Sequence, residues 1–142
     1  MKTRLLLLGA LLLASAGVHA QEEKKTWKCT LLHAETGAKL RLDLYEESIE
    51  VPSMEMFGPM NGYMSGGKLY GLWMTTKTEE LSPTTIRLRL SNDLGSETQE
   101  CLLKVANDSV VTMELKGGTV MKRRDGNKLT KLPSQLTLKR IK

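Results

Sequence analysis

The chain has 142 residues and carries 21 Lys or Arg, 16 Asp or Glu and two Cys, which is enough sequence for one domain with a sizeable apolar core. The charge is unevenly distributed: residues 116–142 hold nine basic residues and one acid, whereas residues 21–115 hold ten basic and fifteen acidic residues. The scarcity of aromatic residues near the basic run and the lack of a nucleic-acid motif argue against a nucleic acid as the partner.

Residues 1–20 have the pattern of a secretory signal peptide. Positive charge in the first four residues is followed by an apolar run from Leu5 to Leu13, and compact side chains at Val18 and Ala20 fit the signal-peptidase rule. The apolar run is too short to span a bilayer. We therefore expect cleavage after Ala20, and a single domain over residues 21–142 that does not span a membrane and is periplasmic or secreted.

From Trp27 onward, apolar and polar residues alternate with the period of β-strands, and turn residues interrupt the pattern at short intervals. The turns are expected at Glu35-Thr36-Gly37, Asn92 to Gly95, Asn107-Asp108, Gly117-Gly118 and Asp125-Gly126. The predicted strands are Trp27–Leu31, Leu40–Leu44, Ser48–Val51, Leu69–Thr76, Ile86–Leu90, Thr98–Val105, Ser109–Leu115, Thr119–Arg124 and Gln135–Ile141.

About eight to ten short strands in sequence order predict an all-β fold, an antiparallel up-and-down β-barrel, because closure removes the free edges of a sheet. A two-sheet β-sandwich gives nearly the same alternation and is the alternative. An outer-membrane barrel is disfavoured, since Arg87, Arg89 and Lys104 lie on faces that would meet lipid. The predicted core residues are Leu42, Leu44, Ile86, Leu88, Leu103 and Met113.

Trp27 in the first strand, the run of hairpins and Arg140 in the last strand give a layout that resembles the lipocalin-like small β-barrel proteins of the bacterial envelope. In that family a Trp of the first strand and a late Arg pack together and close the base of the barrel. The resemblance implies that Trp27 and Arg140 pair in this way.

The two cysteines, Cys29 and Cys101, lie at inward-facing positions of their predicted strands. An even number of cysteines in an exported chain is typical of a disulfide. Two buried free thiols that pack as small apolar residues are the alternative. We expect a bridge between Cys29 and Cys101.

No catalytic site, metal site or cofactor is expected. His33 is the one histidine after residue 20, which excludes multi-histidine metal sites and leaves a single imidazole as a base. No catalytic or phosphate-binding motif occurs. The pairs Glu46-Glu47 and Glu79-Glu80 are neighbours in sequence and fit solvated turns better than paired catalytic carboxylates. The chain is therefore predicted to be non-enzymatic.

The methionine-rich segment, residues 54–64, holds four of the eight methionines between glycine and proline residues. Methionine side chains adapt to apolar ligands, so the leading hypothesis is an exported protein that holds a small apolar ligand in a barrel mouth under this segment. Binding of Cu(I) by thioethers and simple plugging of one barrel end are the alternatives. The predicted ligand-binding residues are Met54, Met56, Phe57, Met60, Tyr63, Met64, Tyr70 and Trp73.

The basic C-terminal region supports a second hypothesis of a different class. Summed positive charge steers association with anionic partners, so outward-facing hairpin cations would dock an acidic partner of the cell envelope. A solvated face that keeps the strands from aggregating is the alternative. The predicted partner-binding residues are Lys122, Arg123, Arg124, Lys128 and Lys131.

Overall fold

The computed structural model describes residues 25–141, and the predicted signal peptide therefore lies outside the described residues. Within this range the regular structure is β-strand, apart from one turn of 3₁₀ helix at Glu55–Phe57. The strands are β1 (Lys28–His33), β2 (Ala38–Asp43), β3 (Gly62–Ser65), β4 (Trp73–Ser82), β5 (Thr85–Asn92), β6 (Thr98–Val105), β7 (Val110–Gly118), β8 (Lys122–Asp125), β9 (Lys128–Lys131) and β10 (Gln135–Arg140).

Eight of these strands form a closed antiparallel barrel in the order β1-β10-β7-β6-β5-β4-β3-β2, which confirms the predicted fold. Each strand pairs with its neighbour in sequence until β7, after which the chain leaves the barrel, forms the separate β8–β9 hairpin and returns as β10. The barrel closes where Leu31 of β1 pairs with Arg140 of β10, and Leu32 with Lys139.

Because consecutive antiparallel strands reverse direction, their connections alternate between two ends of the barrel. The lower end carries the connections β2–β3, β4–β5 and β6–β7, together with the segment that enters β1. The upper end carries the connections β1–β2, β3–β4 and β5–β6, together with the β8–β9 hairpin.

Inward-facing side chains from all eight barrel strands fill its interior, although on β4 the buried residues end at Thr75. Five of the six predicted core residues are at most 2% exposed, and Leu44 packs against this core while half-buried. Trp27, which precedes β1, is also fully buried. Methionines from opposite sides of the barrel, Met64 and Met113, complete the packing. The interior is therefore a packed apolar core.

One predicted strand is not formed, and two observed strands, β3 and β9, were not predicted. The segment Ser48–Val51 is irregular and makes one isolated bridge, Ile49 with Met60, whereas the third barrel strand is β3, inside the methionine-rich segment. Gly62 begins β3 beside Arg41, where an added Cβ would overlap the Arg41 carbonyl oxygen. Close backbone approach therefore makes glycine a strand residue here, although glycine usually indicates a turn.

Gly118 ends β7 with a φ of 101°, and an added Cβ would overlap the carbonyl oxygen of Thr98. At that point Thr119 N donates a hydrogen bond of 2.7 Å to the same oxygen, and the chain turns out of the barrel toward β8. Glycine is required at this exit because both the φ angle and the space exclude a side chain.

We expect Gly118→Ala to lower the free energy of unfolding by about 2 kcal/mol or more, from left-handed strain together with the clash. Gly117→Ala is the matched control, because Gly117 has open space and no positive φ, and its effect should stay within about 1 kcal/mol. Urea unfolding of the two variants measures the difference. Equal stabilities would contradict the role given to Gly118.

Candidate functional site

The β8–β9 hairpin, called the basic hairpin below (residues 122–131), is a two-stranded sheet separate from the barrel. It holds five basic residues and one acid. Arg124, Lys128 and Lys131 are exposed, whereas Lys122 and Arg123 are half-buried. The tight turn between the two strands is Gly126-Asn127 and uses a φ of 66° at the glycine, a conformation that hairpin turns favour.

Backbone hydrogen bonds fix the basic hairpin to the β3–β4 connection. Tyr70 N donates to the carbonyl oxygen of Lys122 at 2.9 Å, and Arg124 N donates to that of Lys68 at 2.8 Å. Leu69 lies between them, pairs with Arg123 in an isolated bridge and buries its side chain in the core. These contacts therefore hold the hairpin in a fixed position at the upper end of the barrel.

The base of the hairpin is anchored by one buried amide, Gln99, which is fully buried on β6. Its Oε1 accepts a hydrogen bond from Met121 N at 3.3 Å, and its Nε2 donates to the carbonyl oxygens of Gly117 at 3.0 Å and Glu100 at 3.1 Å. Met121 and Leu132, on either side of the hairpin, are joined by a backbone bond and close the top of the core. Because both the oxygen and the nitrogen of this buried amide are hydrogen-bonded, the amide favours a single conformation of the chain at the base of the hairpin.

The five cations of the hairpin take part in no ion pair within residues 25–141. The four ion pairs of this part of the chain lie on the barrel strands and join Arg87 to Glu79, Arg89 to Glu100, and both Lys104 and Lys116 to Glu114. The guanidinium of Arg124 lies over the ring of Tyr70, 5.6 Å from its centroid. None of the five hairpin cations therefore lies within ion-pair distance of a carboxylate among residues 25–141.

A cleft of about 370 Å³ lies beside the hairpin and brings residues of both predicted sets together. Tyr70 and Trp73 line it with Arg124, opposite the β5–β6 turn with Asn92 and Asp93. The indole Nε1 of Trp73 donates to the carbonyl oxygen of Tyr70 at 3.1 Å, which fixes the wall of the cleft. The cleft thus places an aromatic wall and a guanidinium opposite two carboxylates, those of Asp93 and Glu97.

His33 lies under the hairpin at the end of β1 and is buried. Its Nδ1 and the Thr36 hydroxyl oxygen are hydrogen-bonded at 2.7 Å. Burial lowers the pKa of His33, the Glu35 carboxylate raises it and the guanidinium of Arg123 lowers it further, so the net shift is downward. The buried imidazole is thus held neutral near a hairpin cation.

The eight predicted ligand-binding residues do not share one mouth. Four of them, Met54, Met56, Phe57 and Met60, lie in the β2–β3 connection at the lower end. Within β3, Met64 is fully buried in the core while Tyr63, its neighbour, takes the opposite face. Tyr70 and Trp73 lie at the upper end, beside the basic hairpin. The predicted partner-binding residues, by contrast, stand together on one hairpin.

The predicted disulfide is not formed: Cys29 and Cys101 are free and buried. Cys29 is on β1 and Cys101 on β6, three strand positions apart around the barrel, or roughly 14 Å along the wall. A disulfide requires Cα atoms within about 7 Å. Both side chains point inward as predicted, but from parts of the wall too distant to bond.

No protein-family model, curated protein or solved structure matches this chain. Over residues 25–141, no helix has the length and apolar character needed to cross a membrane. The same residues contain no group of three or more His, Cys, Asp or Glu side chains arranged to hold a metal ion.

The sequence analysis missed Gln99 as a positioning residue. The available signal was its place in an inward-facing series with Cys101 and Leu103, where a lone polar residue needs hydrogen-bond partners. The sequence could not identify those partners, because Met121 and Gly117 meet Gln99 only once the chain has left β7.

We expect both thiols to react with an alkylating reagent once the protein is denatured without reductant, because neither is bonded. In the native protein they should react slowly, since burial raises the pKa of Cys101 to about 12 and also raises the pKa of Cys29, which Arg140 partly offsets. Mass spectrometry counts the added groups. Absence of labelling in the denatured, unreduced protein would contradict the free thiols.

We also expect the folded state to lose stability as the pH falls through about 6.5, the ordinary pKa of histidine. Below that pH the unfolded chain takes up a proton that buried His33 resists, so the equilibrium shifts toward unfolding. His33→Gln removes this titration, and the change in unfolding free energy between about pH 7.5 and pH 5.5 should become smaller. An unchanged pH dependence would contradict the buried neutral state of His33.

Proposed function

We propose that this protein is an exported, non-enzymatic interaction module that binds an acidic partner of the cell envelope through its basic hairpin. The observation that carries the proposal is the group of five hairpin cations, which have no ion-pair partner among residues 25–141 and stand on a hairpin fixed by backbone bonds. A preformed cationic surface attracts anionic groups and loses little conformational entropy when it binds.

The form of the hairpin supports a binding role over a purely solubilising one. The main sheet is closed and has no free edge strand that needs protection, and the cations stand instead on the separate β8–β9 hairpin. The cleft with Tyr70, Trp73 and Arg124 adds aromatic surface beside the charge. Aromatic residues and arginine are the types that contribute most to protein interfaces.

We also propose that the module is periplasmic or secreted after cleavage behind Ala20, and that it is a lipocalin-like envelope barrel. Residues 1–20 support the export step by their charge and apolar run. Fully buried Trp27 and the position of Arg140 support the barrel type. Arg140 Nη1 donates to the carbonyl oxygen of Thr26, directly before Trp27, at 2.9 Å.

The alternative of a small apolar ligand under the methionine-rich segment has less support. Its residues are divided between the lower end, the packed core and the upper end, and side chains from all strands fill the interior. The non-enzymatic character is supported by His33, whose imidazole is buried and engaged with the hydroxyl of Thr36.

The test uses fluorescently labelled poly-L-glutamate as an acidic probe, with binding followed by fluorescence anisotropy. Lys128→Glu combined with Lys131→Glu should weaken binding about ten-fold or more, since two attractive pairs of roughly 0.5 kcal/mol each become repulsive. Binding to the unsubstituted protein should also fade as salt rises well above about 0.15 M.

The matched control is Lys77→Glu, which makes the same exchange at an exposed site on β4 away from the hairpin. It should leave the affinity within about two-fold, because the lost attraction is screened at this distance. Equal losses in the hairpin and control variants, or binding that does not respond to salt, would contradict the proposed role of the hairpin.

A further inference from the structure

The connection between β2 and β3, called the acidic loop below (residues 44–61), is the electrostatic opposite of the basic hairpin. It holds four Glu and no Lys, Arg or His. The hairpin holds five basic residues and one acid. The loop lies at the lower end of the barrel and the hairpin at the upper end, so two segments of opposite charge lie at opposite ends of one molecule.

The acidic loop has a fixed conformation. At its start the carboxylate of Asp43 accepts hydrogen bonds from Tyr45 N at 3.1 Å, Glu46 N at 3.2 Å and the Ser48 hydroxyl at 2.9 Å. Burial raises the pKa of Asp43, but these bonds outweigh it and hold the pKa below its ordinary value of 3.8. The carboxylate therefore keeps its charge at neutral pH and continues to order the loop.

The middle of the loop is tied to itself and to the barrel. Ile49 and Met60 exchange two backbone hydrogen bonds, at 3.0 and 2.8 Å, and Val51 is fully buried. Beyond these anchors the 3₁₀ turn carries Met56, 78% exposed, and Phe57, 59% exposed. Large apolar side chains held in water by a fixed loop are typical of an interaction site.

The upper end offers matching apolar surface around its positive charge. Leu129 of the hairpin and Tyr70 beside it are 45% and 48% exposed, and Leu94 in the β5–β6 turn is 83% exposed. The acidic loop and the basic hairpin therefore carry opposite charge and both expose apolar side chains: Met56 and Phe57 on the loop, Leu129 on the hairpin and Tyr70 beside it.

We propose that the acidic loop of one molecule docks on the basic hairpin of a second copy, so that the protein associates head to tail. This inference rests on the proposed function, because it uses the same hairpin and identifies its acidic partner as a second copy of the chain. The contact joins two different surfaces, so each bound copy leaves one end free, and the assembly grows into rings or filaments.

The association is expected to be weak and sensitive to salt. A standard stable interface uses about 20–30 residues on each side, whereas the loop has 18 residues and the hairpin ten. Charge attraction across a small interface is screened over about 8 Å at physiological salt. The assembly should therefore form at high local concentration and dissociate on dilution.

Sedimentation velocity of the purified protein tests the proposal. At about 50 mM salt the sedimentation coefficient should rise with protein concentration, and at about 500 mM salt it should stay near the monomer value. Reversal of the hairpin charges (Lys128→Glu with Lys131→Glu) or of the loop charges (Glu47→Lys with Glu50→Lys) should each weaken self-association about ten-fold or more. Glu55 is left unchanged, because its carboxylate accepts a hydrogen bond from Ser53 N.

Mixing the two charge-reversed variants gives the specific signature. Copies of the same variant repel each other, because their hairpin and loop now carry charge of the same sign. In the mixture, the acidic hairpin of one variant contacts the basic loop of the other. The mixture should therefore associate although neither variant does so alone. Met56→Ser with Phe57→Ser should also weaken association, whereas Lys77→Glu should leave it unchanged. A mixture that stays monomeric, or a wild-type protein that is monomeric at every concentration at low salt, would overturn the proposal.

Poly-L-glutamate binding separates this inference from the function on which it rests. The loop-reversed variant keeps the intact hairpin and should bind poly-L-glutamate at least as well as the wild-type protein. Wild-type protein that binds poly-L-glutamate but never self-associates would overturn the head-to-tail contact and leave the proposed function standing. Loss of both would overturn the function of the hairpin as well.

Discussion

Closure of the barrel between β1 and β10 is the constraint on which the other features of this protein depend. The join has two registered residue pairs, compared with six between β1 and β2 and five between β7 and β10. Arg140 reinforces it, because its guanidinium donates hydrogen bonds to the carbonyl oxygens of Thr26 at 2.9 Å and Asp108 at 3.2 Å. Closure removes the free edges of the main sheet and buries its inner face, so interaction surfaces are left to the two ends.

Each end of the barrel has to cover the apolar core, and the two ends do so with different elements. At the upper end, Met121 and Leu132 close the core while the residues between them form a hairpin that exposes Arg124, Lys128 and Lys131. At the lower end, Asp43 orders a loop that anchors itself through Val51 and presents apolar side chains to solvent. In both places a buried polar group, Gln99 or Asp43, fixes the backbone, and charged side chains of one sign stand outside it.

The barrel could be predicted from the sequence because every second residue of strands such as β5 and β6 faces inward, and this alternation is visible in the sequence. The sites were harder to predict, because the end at which a loop lies depends on the number of strands before it. Counting Ser48–Val51 as the third strand places the methionine-rich segment at the upper end with Tyr70, whereas the true third strand, β3, places residues 54–60 at the lower end. The same alternation correctly predicted that Cys29 and Cys101 point inward. It gave no information on how far apart their two strands lie around the barrel.

We propose that an acidic partner binds on the basic hairpin and leaves the barrel interior unchanged. Titration of ¹⁵N-labelled protein with unlabelled poly-L-glutamate, followed by amide chemical shifts, locates the binding surface. We expect the largest shifts on residues 122–131 and on Tyr70 beside them, and unchanged shifts at inward-facing core residues such as Leu88 and Met113. Shifts concentrated in the barrel core or in the methionine-rich segment, with the hairpin unaffected, would contradict it.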